Sequence, residues 1–195
     1  MRVLLASRNA KKLGELRRIF ASALMAVEVV GLDDVEPYAE VPESGATFAE
    51  NALIKAREGF RNTGLPTVAD DSGLAVNALN DMPGVLSARW AGGHGDDEAN
   101  LQLVLSQLRD VPDERLTASF VCSVAYVAEG VEILTDGRMP GRLIREKRGG
   151  NGFGYDPIFV PDGHELTSAE LPSEAKDAIS HRGQALRALV AELTA

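Results

Sequence analysis

The chain has 195 residues, 45% hydrophobic and 25% charged, an ordinary globular composition that excludes a disordered tail, a collagen and a coiled-coil rod. The formal net charge of −9 argues against a long DNA or RNA partner, although a few clustered lysines can still hold a mononucleotide. The single cysteine, Cys122, excludes an internal disulfide framework and a multi-cysteine zinc site and fits a reducing cytoplasm. No apolar run reaches the about 18 residues of a membrane span, so no membrane partner is expected.

Arg2 to Ala6 is short and apolar and predicts a buried first strand; its apolar core is too short for a signal peptide. From Lys12 to Leu24, the spacing of Leu13, Leu16, Phe20 and Leu24 predicts a helix. Val27 to Leu32 predicts a strand, and the polar stretch Asp33 to Gly45 a loop. Thr47 and Glu50 form a capping box that opens a helix to about Asn62, with Phe48, Ala52, Leu53, Ala56 and Phe60 on its apolar face. Thr67 to Ala69 reads as a strand ending in Asp70-Asp71-Ser72-Gly73. After the Gly92 to Gly95 loop, Asp96 caps a helix from Asp97 to about Leu108, with two more acids in its first turn. Ala118 to Ala128 and Val131 to Thr135 predict a hairpin turning at Glu129-Gly130. Tyr155 to Val160 predicts a last strand, and Lys176 to Leu193 one terminal helix. The whole predicts an α/β protein: a long twisted mixed sheet flanked by helices, in two lobes around a central cleft, as a single domain over residues 1–195.

Several segments carry residue types suited to phosphate chemistry. The turn Ser7-Arg8-Asn9-Ala10-Lys11-Lys12 joins a strand to a helix, where free amides and the positive end of a helix dipole suit an anion. The bland alternative is an N-cap with solvated lysines. Asp70 and Asp71 are adjacent and repel unless a cation or donors compensate, and carboxylate oxygens are what Mg²⁺ prefers. Neighbours on a strand face opposite ways, so one acid would face a metal and the other anchor the loop; the alternative is a turn rich in Asp and Ser. Glu43 is a further loop carboxylate, and Lys55 lies one turn after Asn51 on its helix, a position that is otherwise a solvated face. Phe153, between glycines in Gly149 to Gly154, can stack on a nucleobase or tuck under a glycine bulge. Ser180-His181-Arg182-Gly183 offers donors for carbonyl oxygens or a structural helix histidine, and Cys122 reads as core.

Six motifs occur in one order: Ser7-x-Asn9-x-x-Lys12; Glu43-Ser44-Gly45-x-Thr47-Phe48-x-Glu50-Asn51-Ala52 with Lys55 following; Ala69-Asp70-Asp71-Ser72-Gly73-Leu74; Pro83-Gly84-Val85-x-Ser87-Ala88-Arg89; Phe153-Gly154-Tyr155-Asp156-Pro157-x-Phe159; and Lys176-x-x-Ile179-Ser180-His181-Arg182-Gly183. From Leu4 to about Leu189 the chain resembles the inosine triphosphate pyrophosphatase family, which hydrolyses non-standard purine nucleoside triphosphates. The resemblance implies a cytoplasmic, Mg²⁺-dependent, house-clearing hydrolase working as a homodimer, with no nucleic-acid polymer as partner. It implies that Ser7, Asn9 and Lys12 hold the triphosphate within a substrate-binding loop that also includes Arg8, Ala10 and Lys11, positions where the family varies, that Glu43 and Asp71 hold metal, and that Asp71 accepts a proton beside a catalytic Lys55. Ser72 would contact substrate, and Phe153, Gly154, Tyr155, Asp156, Lys176, His181 and Arg182 would form the nucleoside pocket. Two rivals are disfavoured. One is a related pyrophosphatase of the septum-inhibitor type, whose first loop carries Ser-Pro-Arg-Arg, unlike Arg8-Asn9-Ala10-Lys11-Lys12. The other is a non-catalytic nucleotide sensor, which the presence of Glu43, Asp70 and Asp71 disfavours.

Overall fold

The computed structural model describes residues 2–22, 27–39 and 41–195, with the Lys11 and Ser22 side chains outside the description. Its elements are β1 (Arg2–Leu5), α1 (Ala10–Ser22), β2 (Glu28–Val30), α2 (Phe48–Thr63), β3 (Thr67–Val76), β4 (Met82–Pro83), α3 (Asp97–Gln107), β5 (Thr117–Ala128), β6 (Val131–Leu143), β7 (Phe159–Pro161), α4 (Ser173–Ile179) and α5 (His181–Thr194). The seven strands form one mixed sheet in the order β2-β1-β3-β5-β6-β7, with β4 paired to β3. β1 runs parallel to β2 and β3, whereas β4 and β7 pair antiparallel with β3 and β6. The predicted α/β class with a mixed sheet flanked by helices is the observed one.

The chain divides into two compact units. The first comprises Met1–Asp71, Cys122–Gly137 and Arg182–Ala195. On one face of its strands Leu16, Ile19 and Phe20 of α1 and Ala185, Leu186 and Leu189 of α5 pack with Val3, Leu5, Val68, Cys122 and Val124. On the other face Ala52 and Ala56 of α2 meet Ala6, Ala69, Ala125 and Val127. Small residues let this helix approach closely: a Cβ at Gly59 would sit 2.7 Å from Thr67 Cγ2. The capping box holds as expected, with Thr47 accepting from the Glu50 amide and Gly64 closing the helix in the left-handed region.

The second unit comprises Ser72–Val121 and Arg138–His181. Leu101, Val104 and Leu108 around α3 pack with Leu74, Val76, Phe120, Met139, Ile158 and Phe159. Asp96 caps α3 as expected, accepting from the Ala99 amide.

Several boundaries differ from the sequence reading. β3 does not end at Ala69; it runs through Asp70-Asp71-Ser72-Gly73 to Val76, so the acids lie inside a strand rather than in a turn. Gly73 permits this, because any Cβ there would meet Ser87 Oγ and the Gly84 carbonyl. The terminal helix is two helices broken at Ser180, whose backbone is extended at φ −63°, ψ 148°. β6 extends eight residues past the expected Thr135 because Gly137, Met139, Gly141 and Leu143 continue its buried face. Asp156–Ile158 forms a 3₁₀ turn, which delays β7 to Phe159. The expected helix end at Leu24 lies outside the described residues.

Candidate active site

The period of two along β3 assigns each central residue to a face. Val68 packs toward α1 and α5 and Ala69 toward α2. Asp70 therefore turns to α1 and α5, and Asp71 to α2. The two adjacent carboxylates have separate partners.

Asp70 is buried, and its Oδ2 accepts from Lys12 Nζ at 2.9 Å and Arg182 Nε at 3.0 Å. Arg182 Nη1 also reaches Glu15 Oε2 at 3.3 Å. Burial alone would raise the Asp70 pKa, but Lys12, Arg182 and Lys55 outweigh it and hold the carboxyl far below the usual range. Its Oδ1 has no hydrogen-bond partner among the described residues. Burial likewise opposes charge on Arg182, yet Asp70 and Glu15 hold its pKa above the ordinary value. Cys122, a core residue as expected, lies beside this network with its thiol pKa pushed up by burial.

On the other face Asp71 Oδ2 accepts from Asn51 Nδ2 at 2.9 Å, while Asn51 Oδ1 accepts from the Gly45 amide at 2.8 Å. One amide thus ties the Glu43 loop to the strand. One turn along α2, Lys55 Nζ lies 2.5 Å from Glu43 Oε1 and 3.9 Å from Asp71 Oδ1. Burial works against the Lys55 charge, but Asp70, Asp71 and Glu43 together raise its pKa. Asp71 is raised, chiefly by burial, with Lys55 and Asn51 opposing.

Ahead of α1, Asn9 Oδ1 accepts from the Lys12 amide and Ser7 Oγ from the Asn9 amide. Asn9 is therefore an N-cap, as the bland alternative required, but Lys12 is not solvated: it is held by Asp70. Arg8 pairs at 3.9 Å with exposed Asp33, Ala10 is exposed, and the Lys11 side chain lies outside the description.

In the second unit, Asp156 is buried and its Oδ2 accepts from the Phe153 amide at 2.8 Å and from Lys176 Nζ. Phe153 is 38% exposed, with Lys176 Nζ 5.6 Å from its ring centroid. Gly152 is required here, since its φ is +75° and a Cβ would meet the Asp156 carboxylate. Gly154 donates to Asp97. Tyr155 is buried and donates its hydroxyl to the Ser87 carbonyl at 2.9 Å, so it braces the loop from below. His181 stacks on Phe120 at 5.0 Å between ring centroids, and Ser72 is half-buried.

The sequence pattern of the Ham1 family matches residues 3–192. The chain belongs to the Ham1 family. A relative from Nocardia farcinica named dITP/XTP pyrophosphatase is 64% identical over all of this chain and 95% of its own length. A crystal structure titled nucleoside-triphosphatase / dITP/XTP pyrophosphatase, from Mycobacterium abscessus, superposes at a TM-score of 0.80 with 61% identity, covering 97% of this chain and 98% of that one. A HAM1 protein from Coxiella burnetii gives a TM-score of 0.90 at 42% identity, covering 100% and 98%. Within this Ham1 fold, sequence reasoning missed two residues that organise the site: Asn51, noted only as a neighbour of Lys55, and Glu15, one helical turn beyond Lys12; Asp70 stands out with Asp71 in the sequence, but its cation partners do not.

Proposed function

We propose that the chain hydrolyses inosine, deoxyinosine and xanthosine triphosphates to the nucleoside monophosphate and pyrophosphate. The observation that carries this reading is the Lys55 ammonium shared by Glu43 and Asp71, with Lys12 beside Asp70 on the adjoining strand position. The relatives' names point to the same bond and substrate class.

The donor set fits a hard divalent cation. Two carboxylates already converge on one cationic nitrogen, and Mg²⁺ commonly takes one or two protein carboxylates plus water and phosphate oxygens. Among the described residues no third His, Cys, Asp or Glu completes a larger set. Glu43 and Asp71 would hold Mg²⁺, which would neutralise charge on the phosphates.

The chain's own groups supply positioning and proton transfer. A water oxygen bonds to the α-phosphorus as the bond to the bridging oxygen of pyrophosphate breaks. Asp71 takes the water proton at Oδ1 while Asn51 holds Oδ2, and solvent later receives that proton. The ammonium groups of Lys12 and Lys55 stabilise charge on the departing pyrophosphate. Phe153 stacks on the base. Donors such as Lys176 and His181 favour a 6-oxo purine, since the 6-amino group of adenine would leave donors facing donors. The homodimer and the cytoplasmic location that the sequence resemblance implies belong to the same proposal. Among the described residues no helix is long and apolar enough to cross a membrane.

The test is pyrophosphate release from inosine, xanthosine, adenosine and guanosine triphosphates, each with and without Mg²⁺. The first two should be turned over about 100-fold more efficiently than ATP, with GTP also poor and no turnover without the metal. Equal use of ATP and inosine triphosphate would remove the substrate assignment, and full activity in chelator would remove the metal.

A further inference from the structure

Three consecutive acids open α3, and a helix dipole would account for all of them alike. The structure gives each a separate task. Asp96 accepts from the Ala99 amide and caps the helix. Glu98 takes Lys147 Nζ on both carboxylate oxygens at 2.8 Å. Asp97 Oδ2 accepts from the Gly154 amide at 2.8 Å. One helical turn therefore grips the chain at two points, just before the glycine-rich loop at Lys147 and at its end at Gly154.

The grip at Gly154 bears directly on Phe153. The amides of Phe153 and Gly154 are consecutive, and each donates at 2.8 Å to a carboxylate from a different element, Asp156 and Asp97. Gly154 has φ +61°, a conformation that costs glycine little but leaves the peptide without a side chain to fix it. With both amides anchored, the Phe153 ring is held in one presentation, half-exposed and 5.6 Å from Lys176 Nζ. Without Asp97, the Gly154 amide loses this anchor while the Phe153 amide keeps Asp156.

We propose that Asp97 is a positioning residue for base binding, acting through the Gly154 amide to fix the Phe153 ring. This rests on the reading that Phe153 receives the base. Its consequence is specific: loss of Asp97 weakens what the ring contributes and leaves phosphate binding untouched. Asparagine at this position keeps an acceptor oxygen for Gly154, so the conservative variant should behave as wild type.

The experiment compares Asp97→Ala, Asp97→Asn, Phe153→Ala and the double variant Asp97→Ala/Phe153→Ala in the full chain. It reads KM and kcat for inosine triphosphate, inhibition by inorganic pyrophosphate, and amide exchange of residues 152–155. Asp97→Ala should raise KM about fivefold, with kcat within about twofold and pyrophosphate inhibition unchanged, as expected for one lost hydrogen bond near the surface. Asp97→Asn should restore KM, and Asp97→Ala should add nothing on the Phe153→Ala background. Exchange at Gly154 should quicken in Asp97→Ala and in the double variant, and not in Asp97→Asn. The proposal is overturned by an unchanged KM, by equal shifts in KM and pyrophosphate inhibition, by additivity with Phe153→Ala, or by unaltered Gly154 exchange. A wild type inactive on inosine triphosphate would instead remove the pyrophosphatase reading, and the exchange data would still decide whether Asp97 anchors the loop.

Discussion

Replacing Asp70 by asparagine removes the charge on which Lys12 and Arg182 converge. Each contact near 3 Å is worth about 5 kcal/mol at an effective dielectric constant of about 20. Burying the carboxylate costs several kcal/mol against that sum, and breaking such a buried pair by removing one partner costs about 3–5 kcal/mol. At about 2–4 °C per kcal/mol for a chain of this size, Asp70→Asn should lower the thermal midpoint by roughly 6–20 °C. Asp71→Asn should behave otherwise. Asn51 can still donate to an amide oxygen there, and the Lys55 ammonium lies 3.9 Å away rather than in direct contact. The midpoint should fall by no more than about 3 °C, while the rate of pyrophosphate release falls by about 10²–10⁴, the usual value of a general base. Calorimetry and a pyrophosphate assay on the two variants decide the matter. Equal losses of midpoint, or an Asp71→Asn rate within threefold of wild type, would refute the division of labour between the two carboxylates.

The depressed pKa of Asp70 also sets the sign of a pH effect on stability. Its contribution is present above the ordinary carboxylate range of about 4 and is lost as pH falls toward the folded value. The midpoint difference between wild type and Asp70→Asn should therefore shrink below pH of about 4; a gap that widens on acidification would contradict the ion network. Lys12→Ala and Lys55→Ala should each lower kcat/KM for triphosphates at least about tenfold, the value of one charge-assisted phosphate contact. A lysine whose loss leaves kcat/KM intact is not part of the phosphate site.

Local rules carried the sequence reading wherever local forces decide the structure. Thr47 and Glu50 cap α2 because the capping box needs only residues three apart. The opposite orientation of Asp70 and Asp71 follows from strand geometry alone. What escaped was tertiary. Arg182 meets Asp70 across 112 positions of sequence, and nothing near either residue signals the partner. β3 continues past its acids because distant cations make them tolerable inside a strand. The helix break at Ser180 has a weak local sign, since serine favours helix starts, but the apolar spacing on either side runs through it. The role of Asn51 has no local signal, because its two hydrogen bonds go to Gly45 and Asp71, not along α2.

On the proposed reading, the placement of the two lysines prepares a phosphate site without phosphate. A solvated lysine gives up rotamer freedom worth about 1.5–2 kcal/mol when a ligand fixes it. Lys12 and Lys55 have already lost that freedom on folding, one to Asp70 and the other to Glu43 and Asp71. An ammonium carries three donors, so a contact with one carboxylate leaves donors that can turn to a second anion. Binding a triphosphate then shares cations that are already oriented, and the ordering cost falls in the folding step. The same pairing prevents the four carboxylates Glu15, Glu43, Asp70 and Asp71 from repelling an anionic substrate outright. An acidic chain can in this way hold a highly charged anion: its net charge is set over the whole surface, whereas substrate meets a site in which each carboxylate is already matched by a cation or a donor.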